Sequence, residues 1–230
     1  MDAVYTFTII SYIISDSSYV CLNMTSTTSI NTQEQILDVA ERLFAENGFA
    51  GTSLRSVIGE AKVNLSAVNY HFGSKEGLFS AVAGRIAKLV VTGQLKELAK
   101  CERSNKPPNV EDILKAFIMP PFQVILNSGD RSINCARFMG RCRTEPDPIR
   151  EIAENHFKGS KEAFLDAFGR SLPNFSRNEL AWKLDLVIAT LLRVLTEAGK
   201  PNALIKDNSP ESIKATVDKL VSFLASGLRS

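Results

Sequence analysis

What most constrains this chain is where its helices must start. A side chain able to accept a backbone N–H stands directly before one apolar run after another: Thr32, Thr52 or Ser53, Asn64, Ser74, Asn109, Asp147, Ser176 and Ser209. Such residues satisfy the N–H groups that a first helical turn leaves without partners. Thr32 with Gln35, and Ser176 with Glu179, add the reciprocal group of a capping box. Pro148 and Pro210 follow their caps at the first helical position, where a missing N–H is harmless. Between the starts, apolar residues recur at helical spacing, as in the stripe Ile36, Leu37, Ala40, Leu43 and Phe44. Asn47-Gly48, Gly199-Lys200-Pro201 and Gly227 read as stops. Pro120-Pro121 interrupts the apolar run after Asn109 and predicts a kink or a split. From Pro148 a single helix is expected through IREIAENHFKGSKEAFLDAFGRS. Beyond the N-terminus no segment alternates as a half-buried strand does, so the fold class is all-α.

Composition adds exclusions. The 230 residues are 44% hydrophobic and 23% charged, ordinary for a globular chain with a real core. A net charge of +2 is too small to demand a nucleic-acid partner, so any basic patch must come from placement. Cys21, Cys101, Cys135 and Cys142 form no CxxC pair, and with His71 and His156 they give no metal spacing. No metal or cofactor is expected, and the cysteines read as reduced thiols of a cytoplasmic protein. A redox switch between Cys135 and Cys142 would need a low-pKa thiolate or a close partner. Residues 1–30 read as a tail. TFTIISYIIS is apolar, but no Lys or Arg precedes it and it is too short to span a bilayer, so no membrane partner is expected. Composition changes at Met24, the expected natural start, which would make residues 1–23 a start-codon artefact.

The most informative stretch is LRSVIGEA-KV-NLSAVNY, two short helices joined by a tight turn, the size of a helix-turn-helix. In that geometry the second helix enters the major groove and its N-terminal residues meet base edges. Ser66, Ala67 and Asn69 are short enough to let the backbone approach, and Asn can form paired hydrogen bonds with adenine. Thr52, Tyr70, His71 and Lys75 stand where hydroxyl, imidazole and ammonium groups can reach phosphates. Ser74 starts a helix whose free N–H groups suit a phosphate. Core packing competes with this reading for Tyr70 and is adopted for Phe72. For His71 the competitor is a structural hydrogen bond.

GFAGTSLRSVIGEAKVNLSAVNYHFGSKEGLF resembles the DNA-binding domain of the TetR family of bacterial repressors, over about residues 32–80. The resemblance implies a three-helix DNA-binding domain at 31–80 and a larger helical effector-binding and dimerisation domain at 81–230. It implies phosphate contacts from Thr52, Ser53, Tyr70, His71 and Lys75, and places Arg55, Ser66, Ala67 and Asn69 near bases. It also implies a homodimer on double-stranded operator DNA. Two positions depart from the family: Lys62 stands where glycine is usual at the turn, and Ile58 where a small residue is usual.

The rest of the chain points to a ligand. Phe117, Phe122, Phe138 and Trp182 could line an apolar cavity, alongside Phe157, Phe164 and Phe168. Arg141 is the expected anion partner among Arg131, Arg137, Arg141, Arg143 and Arg150. Solvated surface is the competing reading for each arginine. RFMGRCRTEPDP through LPNF resembles, more loosely, TetR-type regulators of lipid metabolism, which makes a fatty acid or acyl-CoA a candidate effector. The last two helices are apolar over more than one stripe, with Leu180, Leu184, Leu191, Ile213, Val217 and Leu224 on one side and Trp182, Leu186 and Phe223 elsewhere. They suit either a four-helix dimer interface or a fully internal pair. No catalytic spacing is present, so no enzyme is expected. The leading reading is a ligand-released dimeric repressor; the alternative is a ligand-binding helical scaffold or carrier without operator binding.

Overall fold

Side-chain oxygens of Ser53, Asn64, Ser74, Asn109, Ser176 and Ser209 each accept a backbone N–H at a helix start in the computed structural model, as their positions predict. The structure describes residues 24–103, 108–197, 200, 202–205 and 209–230. Among them the helices are α1 (Met24–Gly51), α2 (Leu54–Ala61), α3 (Leu65–Phe72), α4 (Lys75–Cys101) and α5 (Val110–Asn127). After one 3-10 turn (Gly129–Arg131) come α6 (Ser132–Cys142), α7 (Ile149–Asn155), α8 (Lys158–Ser171), α9 (Arg177–Thr196) and α10 (Pro210–Arg229). No strand occurs among the described residues.

Several boundaries differ from expectation. α1 runs back to Met24, so Thr32 lies inside a helix and residues 24–30 are its first turns rather than tail. Residues 1–23, Gly199 and Pro201 lie outside the described residues. Gly48 breaks the helical path of α1 at φ 72, ψ 177, which is where Asn47-Gly48 predicts a stop. Pro148 occupies the cap of α7 rather than its first turn, because the Asp147 carboxylate is taken by Arg150 Nη2 at 2.6 Å. The single helix expected from Pro148 is two: the end of α7 tightens into short-range bonds from His156 and Phe157, and α8 restarts at Lys158. α10 continues through Gly227 to Arg229.

α5 is not split by Pro120-Pro121. Pro121 has no N–H for the Phe117 carbonyl one turn back. Gln94, buried on α4, supplies the replacement: its Nε2 donates to Phe117 O at 2.9 Å, and its Oε1 accepts from Ser160 Oγ of α8 at 2.6 Å. One carboxamide thus satisfies a proline-orphaned carbonyl and joins three helices.

α1 and α3 pack on the start of α4, and α2 on α1 and α3, through Ile36, Phe44, Val57, Val68, Leu78 and Phe79, all buried. The boundary expected between residues 80 and 81 falls inside α4, which serves both parts of the molecule. By length and composition α4 is also the one described helix that could cross a membrane; here it packs against α5, α7 and α8.

The N-terminal part is joined to the body by charge and by aromatic rings. Glu41 of α1 is 2% exposed. Its Oε2 accepts from Arg85 Nη2 of α4 at 2.5 Å and Arg131 Nη1 at 3.2 Å. Both arginines also reach Asp38 at 2.7 Å, and Arg85 reaches Glu34 at 3.0 Å. Beside this network the Phe79 ring lies 5.2 Å from Phe44 and 5.3 Å from Phe138 of α6.

Removing Glu41 takes away the one buried carboxylate that answers Arg85, whose other partners Asp38 and Glu34 are largely exposed. Glu41→Ala is therefore expected to lower unfolding free energy by about 3 kcal/mol. Glu34→Ala, in water, should lower it by less than about 1 kcal/mol. Denaturant titrations of the two variants compare them directly.

Candidate nucleic-acid interface and ligand pocket

The turn between α2 and α3 is built by two residues. Lys62 closes α2 in the left-handed conformation (φ 50, ψ 40), its N–H donating to Ile58 O. Asn64 opens α3, its Oδ1 accepting the Ala67 N–H at 2.8 Å. α3 is held on one stripe, by buried Val68 and half-buried Ala67, His71 and Phe72. Its other face is open: Ser66, Asn69 and Tyr70 are exposed, Tyr70 at 84%. Positions one turn apart share a helix face, so these three form one outward row.

Around this row the expected contacts divide. Arg55 is exposed on α2 and makes no ion pair among the described residues. Ser53 is exposed, with its hydroxyl engaged in the α2 capping box with Ser56. Ala67 leans toward the core. His71 sits between the rings of Tyr70 and Phe72, at 5.0 and 5.9 Å.

Thr52 does not reach the surface. It is 2% exposed, and its hydroxyl donates to Leu43 O and Gly48 O at 3.0 and 2.8 Å, spanning the break in α1. The expectation of a Thr52 phosphate contact is therefore corrected. Lys75 is half-buried, its ammonium 4.2 Å from the centre of the Phe49 ring. At the start of α4, Glu76 answers part of the helix's free N–H groups. Its carboxyl is held below the usual range by its own backbone N–H first and then by Ser74. That terminus is thus less open to a phosphate than Ser74 alone suggests. The α3–α4 joint also requires Gly77, where a Cβ would stand 2.0 Å from Phe72 O.

The second site is a partly open cavity of about 160 Å³ lined by α4, α5, α6, α7, α8 and α9. Its walls are apolar, and Phe117 and Phe138 line it as expected, together with Phe157. Phe164 backs Phe117 edge-on at 4.9 Å. The other assignments need correction. Phe122 is fully buried in the core behind the cavity. Trp182 is 64% exposed on the outside of α9, near exposed Leu186 of the same helix, while α10 carries exposed Phe223. Arg141 points away: its Nη2 donates to Glu46 O of α1 at 3.0 Å. The arginine in the cavity wall is Arg143, with Lys158, Lys161 and Glu154. Arg143 lies 3.7 Å from Glu154 and 3.6 Å from Asp185, ion pairs longer than hydrogen bonds. The only sequence signal for it was membership of the same arginine-rich run. Burial pushes the Cys135 thiol up to about 12 and raises Cys142 as well, opposite to what a reactive pair needs.

Residues 36–82 match bacterial regulatory proteins of the tetR family, and residues 115–227 match the tetracyclin repressor-like C-terminal domain. The transcriptional repressor AcnR of Corynebacterium glutamicum is 35% identical over 74 residues, 30% of this chain and 39% of AcnR. The nicotine-responsive repressor HdnoR of Paenarthrobacter nicotinovorans is 32% identical over 63 residues, 27% of this chain and 32% of HdnoR. The matched stretch thus spans about two-fifths or less of these relatives. Two solved structures share the fold across most of the chain. The fatty acid degradation regulator FadR of Bacillus halodurans has a TM-score of 0.61 at 18% identity, covering 86% of this chain and 96% of that one. FadR of Bacillus subtilis, solved with stearoyl-CoA, has a TM-score of 0.62 at 14% identity, covering 84% and 98%.

The α2–α3 turn and the α3–α4 joint carry opposite expectations at Lys62 and Gly77. Lys62→Gly removes a left-handed side chain and should raise stability by roughly 0.5 to 1 kcal/mol, net of glycine's greater freedom when unfolded. Gly77→Ala should lower the midpoint of thermal unfolding, because the added methyl drives α3 and α4 apart. Calorimetry on both variants reads the two signs.

Proposed function

Because the chain belongs to the tetR family of bacterial regulatory proteins, we propose that it is a dimeric repressor that binds a palindromic operator in the cytoplasm and leaves it when a small molecule binds. The observation that carries this is the outward row of α3. A helix anchored by Val68 alone among fully buried residues presents Ser66, Asn69 and Tyr70 to solvent. In this reading Ser66, Ala67, Asn69 and Arg55 lie near base edges, Asn69 pairing with adenine. Ser53, Tyr70, His71 and Lys75 hold the flanking phosphates. Thr52 instead fixes the break that lets α2 lie across α1.

Dimerisation is supported by the exposed apolar side chains on the last two helices, Trp182, Leu186 and Phe223, with Leu204 between them in sequence. A twofold pairing there would bury them and set two copies of α3 about 34 Å apart, one turn of DNA. The effector in this reading is an amphipathic anion. Apolar walls take its body, and Arg143 takes its charge in place of Arg141. A fatty acid or acyl-CoA belongs to that class, and the B. subtilis FadR structure holds stearoyl-CoA.

The route from the cavity to the core of the N-terminal helices is short. Phe138 lines the cavity and packs on Phe79 and Phe44 of the N-terminal core. A few residues on, Arg143 lines the cavity while Arg141 holds Glu46 O and Glu145 Oε1 accepts the Phe49 N–H at 2.9 Å. A ligand drawing Arg143 inward acts on the same turn that grips the end of α1. It releases DNA only by binding one arrangement better than the other.

Two measurements test these assignments. Asn69→Ala and Tyr70→Ala should each weaken binding to operator selected from genomic DNA by about tenfold or more, with the dimer intact by size-exclusion chromatography. Undiminished affinity in both variants refutes the assignments. Glu145→Ala should leave effector affinity on free protein close to wild type while shrinking the effector's power to release DNA.

A further inference from the structure

The size and lining of the cavity restrict its ligand beyond the class just proposed. An apolar protein cavity of about 150 Å³ accommodates one benzene. The volume here is about 160 Å³. That is the space of a ring or a short chain, whereas ligand pockets for larger molecules run to roughly 300 Å³ and more.

The polar groups of the interior are already engaged with one another. Gln94 gives an N–H to Phe117 O and receives the Ser160 hydroxyl, so neither side chain calls for a polar ligand body. The charged residues of the wall are Arg143, Lys158, Lys161 and Glu154, and Asp185 stands beside both Arg143 and Lys161. Lys161 is committed to Asp185 at 3.0 Å. Arg143 has no acceptor within hydrogen-bond distance among these carboxylates, at 3.6 and 3.7 Å. A planar guanidinium with slack ion pairs is the group best able to turn toward an incoming carboxylate and hold both of its oxygens.

We infer that the cavity takes a compact monocarboxylate, with a body of roughly six to eight carbons buried between Phe117, Phe138 and Phe157 and its carboxylate held by Arg143. A long acyl chain exceeds the roughly 160 Å³ and would have to extend beyond these walls. This inference rests on the reading of the cavity as the effector site, and it goes further by naming the size and head group.

The test is isothermal titration of the intact protein with octanoate, 3-phenylpropanoate, octanamide, palmitate and palmitoyl-CoA. The two small acids should bind, and neutral octanamide should bind about tenfold more weakly. Arg143→Gln should impose a similar loss on the acids and leave octanamide unchanged, with Arg143→Lys in between. Calorimetric unfolding of each variant separates a lost contact from a lost fold. Palmitate or palmitoyl-CoA binding more tightly than octanoate overturns the size, and equal affinity for acid and amide overturns the head group. A gel-shift with selected genomic DNA distinguishes this from the regulator reading. Release by palmitoyl-CoA alone sinks the compact ligand and leaves the regulator standing. Octanoate binding by a protein that retains no DNA does the reverse.

Discussion

A carboxylate removed from water must be answered by positive charge, and the burial of Glu41 sets that demand where α1 meets the body. The answer comes from two distant parts of the chain, Arg85 on α4 and Arg131 in the turn before α6. α1 can dock only where both guanidinium groups converge. That fixes the N-terminal three helices against the body, and the Phe44–Phe79–Phe138 contacts and the Arg141 and Glu145 bonds follow at the same junction. The other oxygen of Glu41 is buried without a hydrogen-bond partner among the described residues. The joint is therefore specific without being fully satisfied.

The body has its own constraint in Pro121. A proline inside a helix ordinarily bends or ends it, and α5 continues because α4 reaches over with Gln94 to take the abandoned carbonyl. The same residue engages Ser160, so the helices that wall the cavity are tied at one point.

Helix starts were legible because capping chemistry is local: an oxygen, an extended backbone and an N–H three residues on. That chemistry misleads at Asp147, whose carboxylate is taken by Arg150, and at Thr32, which lies inside a longer helix. The α3 face was legible for the same local reason, since a short helix with one apolar stripe has one polar face. Thr52 and Ser53 are adjacent and chemically alike, and only the backbone path past Gly48 decides which one is buried. Arg141 and Arg143 pose a similar problem. Two residues along a helix turn about 200°, so one faces in and the other out, and sequence does not say which. Trp182 stands on the outer face of α9, since hydrophobicity announces a need for cover without naming what supplies it.

The junction at Glu41 also bears on ionic strength. Glu34, Asp38 and Arg131 have side chains 57%, 49% and 42% exposed, so dissolved ions screen part of the network. A regulator of this build would feel added salt twice, once through counterions displaced from the duplex and once through a loosened α1. The steepness of its binding against salt would then count more charges than touch phosphate.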